Sequence, residues 1–171
     1  RAALPGSGVK VAEMASSLFD GGLEPTVIGG FVARLNDTLL TRILRWAEAD
    51  LGPPPTPYAW LVFGSEGRME QMVLTDQDNA LVWGEDVPGA QEYFTALADK
   101  AIADLVAAGF PRCPGGYMST KWLGGLAWWE ERFRGWLEKP TPQALLEASI
   151  FFDFRAVHGH LDVSRLRSVI A

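Results

Sequence analysis

The sequence predicts an α/β fold, more closely an α+β fold, in which helices flank a small mixed β-sheet. Apolar residues recur at three- and four-residue steps from about Glu24 to Leu51, as in an amphipathic helix. Two short apolar runs, at 58–63 and 79–83, are typical of buried strands. A second amphipathic helix is predicted from about Ala90 to Ala108, with Gly109 as its end.

Length and composition narrow the class of protein. The 171 residues suit one compact domain, or one domain plus a helical appendage. The chain begins at Arg1 and is interpreted as a piece of a longer protein. The net charge of −6 argues against a nucleic-acid binder but not against a nucleotide substrate, because a metal can supply positive charge. The single cysteine, Cys113, excludes an internal disulfide and fits a cytoplasmic location. No apolar run reaches the roughly 18–20 residues of a membrane span.

Three segments are predicted along the chain. Residues 1–52 form an N-terminal helical segment, whose first 23 residues are a loose lead-in or a short helix. The proline-rich linker 53–57 opens a core that extends to residue 138 and ends in a helix from Trp122 to Leu137. Residues 139–171 form a C-terminal helical segment: one helix opens at Thr141-Pro142 and runs through Val157, and a second covers 162–170.

Two alternating aspartates, Asp76 and Asp78, stand at the start of the second strand. Residues i and i+2 of a strand share a face, so the two carboxylates are expected to lie side by side. Two carboxylates at that distance repel each other, and a divalent cation removes the repulsion. The pair therefore predicts a site for Mg²⁺ (or Mn²⁺), which prefers carboxylate oxygens together with substrate phosphates and water.

A Gly-Ser turn, Gly64-Ser65, ends the first strand and supplies the complementary half of this site. Glycine allows close approach of the backbone to a ligand, and a turn before a short helix directs N–H groups towards phosphate. Arg68 adds charge and a planar fork for a phosphate. Phosphate on one side and metal on the other is the arrangement of phosphoryl or nucleotidyl transfer.

The stretches "GSEGRMEQ" (64–71) and "TDQDNAL" (75–81) resemble the motif of the DNA-polymerase-β-type nucleotidyltransferase superfamily. The sequence of these stretches most resembles a bacterial nucleotidyltransferase family known as domain of unknown function 294. That family is similar to the enzymes that uridylylate the PII signalling protein or adenylylate glutamine synthetase. The stretches "LNDTLLTRIL", "CPGGYM" and "ASIFFDFRAVHGH" extend the resemblance over roughly residues 24–165.

The resemblance implies roles for individual residues. Gly64 and Ser65 would bind a nucleoside triphosphate, and Asp76 and Asp78 would hold the metal. Supporting roles fall to four further polar residues of the motif: Glu70, Gln71, Thr75 and Asn79. The resemblance also implies a role in signal transduction, attached CBS or cyclic-nucleotide-binding domains, and a helical domain that continues beyond this chain.

The superfamily carries a third carboxylate on a later strand, and this chain departs from that pattern. No Asp or Glu occurs between Asp104 and Glu130. Asp153 is the best remaining candidate for a third metal ligand, but a structural role suits a helical Asp followed two residues later by Arg155 at least as well. His158 and His160 are interpreted as cap or surface residues, and Cys113 as a packing residue.

Three functions stay open on these grounds. The leading hypothesis is a Mg²⁺-dependent transferase that moves a nucleoside monophosphate from a triphosphate to a hydroxyl, for example on a regulatory protein. The alternative is a non-catalytic nucleotide-binding sensor module in a signal-transduction protein, which the missing carboxylate favours. A third interpretation is a pure interaction domain built on the helices.

Overall fold

A computed structural model describes residues 5–71 and 77–171 of the chain. Its central part contains the two strands and the following helix that the sequence predicts. The order of the described helices and strands is α1 (Ser7–Asp20), α2 (Pro25–Leu51), β1 (Tyr58–Val62), α3 (Gly64–Gly67), β2 (Asn79–Trp83), α4 (Ala90–Ala108), β3 (Leu123–Gly125), α5 (Leu126–Glu138), α6 (Pro142–Phe151), β4 (Arg155–Gly159) and α7 (Ser164–Ile170).

The described strands form one mixed sheet in the order β3-β2-β1-β4. β1 lies in the middle and pairs antiparallel with both β2 and β4, whereas β3 pairs parallel with β2. The predicted class, a small mixed sheet flanked by helices, is thereby confirmed. The antiparallel pairings matter for function because they bring the end of β1 to the beginnings of β2 and β4.

Helices cover both faces of the sheet, and every residue of β1 and β2 is therefore buried. Tyr58, Trp60 and Val62 pack with α2 and α4 on one face. Ala59, Leu61 and Phe63 pack with α5, α6 and α7 on the other. Strands buried on both faces need apolar residues at every position, which explains the unbroken apolar runs in the sequence.

Helix ends follow local sequence signals. Gly52 (φ 89°) follows α2, and Gly109 (φ 103°) follows α4; both adopt the positive φ that glycine accepts without strain. Thr141 caps α6 because its hydroxyl oxygen accepts a hydrogen bond from the Ala144 N–H at 3.1 Å. The lead-in residues form the short helix α1, which packs on α2 through Ala15.

The helix predicted from Trp122 to Leu137 was wrong at its beginning, where Leu123–Gly125 forms β3 and α5 starts at Leu126. The edge of β2 takes up this segment, and the Leu81 N–H donates to the Trp122 carbonyl at 3.0 Å. Gly124 also lies under the Trp128 ring, so that a Cβ there would come within 2.6 Å of Trp128 Cε3. The glycine therefore permits a close approach that periodicity does not reveal.

The helix predicted through Val157 was wrong beyond Phe151, because residues Arg155–Gly159 form β4 on the open edge of β1. The helix prediction for the segment 139–171 therefore holds only in part. Pairing with a distant strand is a tertiary stabilisation that outweighs local helix propensity. The division of the chain into three segments stays a prediction.

Close packing between α3 and the start of β4 gives a first prediction. A Cβ at Gly67 would overlap the carbonyl oxygen of Asp153. We expect Gly67→Ala to lower the free energy of unfolding by about 1–3 kcal/mol, because backbone must move. Gly135→Ala on α5 is the matched control: its Cβ meets nothing within 4 Å, and the change should be neutral or slightly stabilising. Urea denaturation compares the two variants, and equal stabilities would contradict the close contact.

Candidate functional site

The candidate site residues that the structure describes lie at one end of the sheet. Val62 pairs with Asn79 at the start of β2 and with Arg155 at the start of β4. The Phe63 N–H donates to the Asp78 carbonyl at 3.2 Å, which places the Gly-Ser turn one residue from the D-x-D backbone. The turn, Asp78 and Asp153 therefore share one end of the sheet. Thr75 and Asp76 lie outside the described residues.

The Gly-Ser turn is a sharp strand-to-helix junction. Gly64 adopts φ 55°, and the four-residue helix α3 starts at this residue. The Ser65 carbonyl accepts from the Glu70 N–H at 2.8 Å, which folds the chain back beyond α3. Ser65 stays partly exposed at this end of the sheet. The phosphate-binding role of Gly64 and Ser65 stays a prediction.

Arg68 extends from the end of this turn and is held by two carboxylates. Its Nε–H donates to Glu70 Oε2 at 2.8 Å, and its Nη1–H donates to Asp153 Oδ2 at 2.7 Å. These hydrogen bonds raise the pKa of Arg68, with the Glu70 bond as the larger cause. Glu70, one of the predicted supporting residues, therefore holds Arg68 through an ion pair. Asp153, the candidate third metal ligand, is bound to Arg68 and not to Arg155.

Arg155 makes a second, more buried connection that the sequence analysis missed. Its guanidinium donates to both carboxylate oxygens of Asp37 on α2, at 2.7 and 3.1 Å. The same side chain donates to the backbone carbonyl of Glu66 in α3 at 3.0 Å. Asp37 and Arg155 fix α3 between α2 and β4. A signal for them existed, since both lie in the stretches that carry the family resemblance.

Glu66 is a further residue that the sequence analysis did not select. The residue is only partly buried, but its carboxyl is deeply enclosed, and its pKa rises to about 7. Burial is the main cause; Asp37 and Asp78 raise the pKa further, and Arg155 opposes them. A carboxyl that titrates near neutral pH thus lies directly beside Ser65.

The predicted supporting residues Gln71 and Asn79 are buried and hold neighbouring segments in place. Gln71 Oε1 accepts from Asn36 Nδ2 at 2.9 Å, which ties the motif to α2. Asn79 Oδ1 accepts from the Ser119 N–H at 2.9 Å, and therefore braces the loop that precedes β3. Both side-chain amides therefore fix segments next to the site.

Asp78 is the described member of the aspartate pair. It lies beside Cys113, whose thiol pKa is raised chiefly by burial and further by a hydrogen bond to Asp78. A buried thiol that stays protonated fits the interpretation of Cys113 as a packing residue. Within 5–71 and 77–171, no group of three or more His, Cys, Asp or Glu side chains could hold a metal ion. The metal site stays a prediction that depends on Asp76.

A pocket of about 640 Å³ lies at the opposite end of the sheet, between α2, the proline-rich linker and the end of β4. Glu48 Oε1 accepts from the Tyr58 hydroxyl at 2.5 Å and lies 3.1 Å from His158 Nε2. Burial, followed by this hydrogen bond, raises the pKa of Tyr58. His158 is mostly buried in this network and His160 is exposed, so the surface interpretation suits only His160. None of the described motif residues lines this pocket.

The fold and the sheet end define a nucleotidyltransferase-like domain: a central strand ends in Gly-Ser, and its antiparallel neighbour follows a D-x-D. The family model described as Putative nucleotidyltransferase DUF294 matches residues 9–143. The chain belongs to this family, and the predicted family resemblance is confirmed. A search of curated proteins finds no match to the chain. None of the described helices combines the length and apolar character needed to cross a membrane.

The buried carboxyl of Glu66 gives a second prediction. Because its pKa is raised from 4.5 to about 7, protonation favours the folded state. The stabilisation is fully present below about pH 4.5 and is lost as the pH rises through about 7. Glu66→Gln should remove this dependence. The free energy of unfolding of the variant, relative to that of the wild type, should therefore rise from pH 5 to pH 8 by at most about 3 kcal/mol.

Urea unfolding at several pH values measures this difference. Glu138→Gln, which changes an exposed carboxylate on α5, controls for the loss of one charge. A difference between Glu66→Gln and wild type that stays constant with pH would contradict a raised pKa at Glu66.

Proposed function

We propose that the protein is a Mg²⁺-dependent (or Mn²⁺-dependent) nucleotidyltransferase. It moves a nucleoside monophosphate from a nucleoside triphosphate to a hydroxyl acceptor. One observation carries the proposal: in a chain of a nucleotidyltransferase family, Gly64-Ser65, Arg68 and Asp78 converge at one end of the sheet. The acceptor that we propose, a hydroxyl on a regulatory protein, follows the family resemblance.

Each residue has a distinct proposed task. Gly64 allows the backbone to approach the triphosphate, and the Ser65 hydroxyl donates to a phosphate oxygen. Arg68 offers its guanidinium fork to the phosphates. Arg155 and Asp37 position α3, which carries the turn. Transfer of this kind depends on positioning and charge neutralisation, and the protein needs no covalent intermediate for it.

The metal would be held by Asp78 together with Asp76. Asp78 offers a carboxylate, the hard oxygen donor that Mg²⁺ prefers, at the end of the sheet where the turn lies. A bound metal supplies positive charge to the triphosphate and to the leaving pyrophosphate. Asp153 reaches the same end, which supports it as the proposed third carboxylate.

A second candidate function is a nucleotide-binding sensor that does not catalyse transfer. The specific observation is that the Asp153 carboxylate, the candidate third metal ligand, is bound to Arg68 at 2.7 Å. Such a module would report nucleotide binding to attached regulatory domains, for which we propose CBS or cyclic-nucleotide-binding domains. Binding without release of pyrophosphate distinguishes the sensor from the transferase.

Removal of the Asp78 charge tests the site. We expect Asp78→Asn to weaken binding of a nucleoside triphosphate in Mg²⁺ by roughly tenfold or more, because one carboxylate of the proposed metal pair is lost. Calorimetry with ATP, GTP, CTP and UTP measures the affinity, and pyrophosphate release is measured in parallel. Asp99→Asn is the matched control, since it removes an exposed carboxylate on α4 and should leave binding unchanged.

The outcomes separate the candidates. Binding that depends on Asp78, with pyrophosphate release, supports the transferase. The same binding without release across candidate acceptors supports the sensor. If Asp78→Asn binds every nucleotide as tightly as the wild type, the proposed metal and nucleotide site is wrong.

A further inference from the structure

Arg68 forms the exposed centre of a group of three charges at the sheet end. Its side chain is 45% exposed, and those of its two carboxylate partners, Glu70 and Asp153, are 60% and 50% exposed. The group carries a net charge of −1, which by itself repels a polyphosphate. The cation predicted to meet phosphate is thus already engaged by carboxylates of the same chain.

The geometry leaves Arg68 open to a competing anion. Glu70 uses Nε and Asp153 uses Nη1, whereas Nη2 makes no hydrogen bond to a described residue. An anion can therefore approach Nη2 before either carboxylate leaves. Exposed ion pairs contribute only about 0–1 kcal/mol each, so their exchange for a more highly charged phosphate costs little.

Arg155 provides the contrast within the same site. It binds Asp37 through two hydrogen bonds and also donates to the Glu66 carbonyl, and its side chain is only 22% exposed. Breaking these contacts would leave a partly buried carboxylate without its cation, which is costly. Arg155 is therefore suited to fixed positioning, and Arg68 to exchange.

We propose that Asp153 and Glu70 act as resident anions that compete with phosphate for Arg68, so that nucleotide binds by exchanging with them. This inference rests on the proposed nucleotide site and adds two residues that set its selectivity. A ligand with a single weak negative charge does not displace both carboxylates. A diphosphate or triphosphate group does, since it offers several oxygens to the planar fork. Exchange also frees the Asp153 carboxylate at the sheet end.

The test is a thermodynamic cycle on Arg68 and Asp153. Inorganic pyrophosphate is titrated by calorimetry into wild type, Asp153→Asn, Arg68→Gln and the double variant, all in EDTA so that no metal contributes. Asp153→Asn should bind about twofold to fivefold more tightly than the wild type, the value of one exposed ion pair. Arg68→Gln should bind more weakly, and in its background Asp153→Asn should give no gain.

Controls separate exchange from a general charge effect. Asp99→Asn changes the net charge equally and should leave pyrophosphate affinity unchanged, and Glu70→Gln should raise it as Asp153→Asn does. A thermal melt of each variant confirms that the comparison is between folded proteins. A purely structural role for Asp153 predicts weaker binding in Asp153→Asn, the opposite sign.

Several results would overturn the exchange. The first is a gain in pyrophosphate affinity from Asp153→Asn that persists in the Arg68→Gln background. The second is an equal gain from Asp99→Asn. The third is a wild type that binds pyrophosphate as tightly as Asp153→Asn does. In these cases the nucleotide site itself still stands. If neither the wild type nor any variant binds pyrophosphate, or nucleotides with Mg²⁺, the proposed function falls and the exchange falls with it.

Discussion

The hydrogen bonds of Arg155 hold together the parts from which the site is built. One guanidinium joins α2 through Asp37, α3 through the Glu66 carbonyl, and β4, on which it lies. These contacts connect residues 118 and 89 positions apart in the chain. The Gly-Ser turn cannot move independently of α2 or β4 while they persist. A four-residue helix has little stability of its own, so its position depends on such tertiary contacts.

This fixed frame gives the two arginines of the site different properties. Arg155 is partly buried and makes three hydrogen bonds, to the Asp37 carboxylate and the Glu66 carbonyl, whereas Arg68 is exposed and bound by carboxylates that water also reaches. The proposed polyphosphate site combines the two: a fixed turn that sets the distance to the ligand, and a cation that can change partners. Burial is the main cause of the raised pKa of the Glu66 carboxyl; Asp37 and Asp78 raise it further, and Arg155 opposes them.

The sequence predicted those parts of the fold that local patterns determine. The helix 24–51, the helix 90–108 and the two central strands follow from periodicity, apolar runs and glycine stops, and the structure confirms them. The strands β3 and β4 were missed because each is stabilised by pairing with a strand that is distant in the sequence: β3 pairs with β2, and β4 pairs with β1. For the same reason the pairing of Arg68 with Asp153 could not be foreseen. The role of the aspartate pair stays a prediction, because Asp76 lies outside the described residues.

The most direct measurement is a crystal structure of the protein with Mg²⁺ and a non-hydrolysable nucleoside triphosphate. We predict that the phosphates lie against Gly64-Ser65, that Arg68 contacts them, and that its bond to Asp153 is broken. The opposite end of the sheet offers a real alternative, the pocket of about 640 Å³ beside Glu48 and His158. Nucleotide bound there, with the Arg68–Asp153 pair intact, would contradict the assignment of the site.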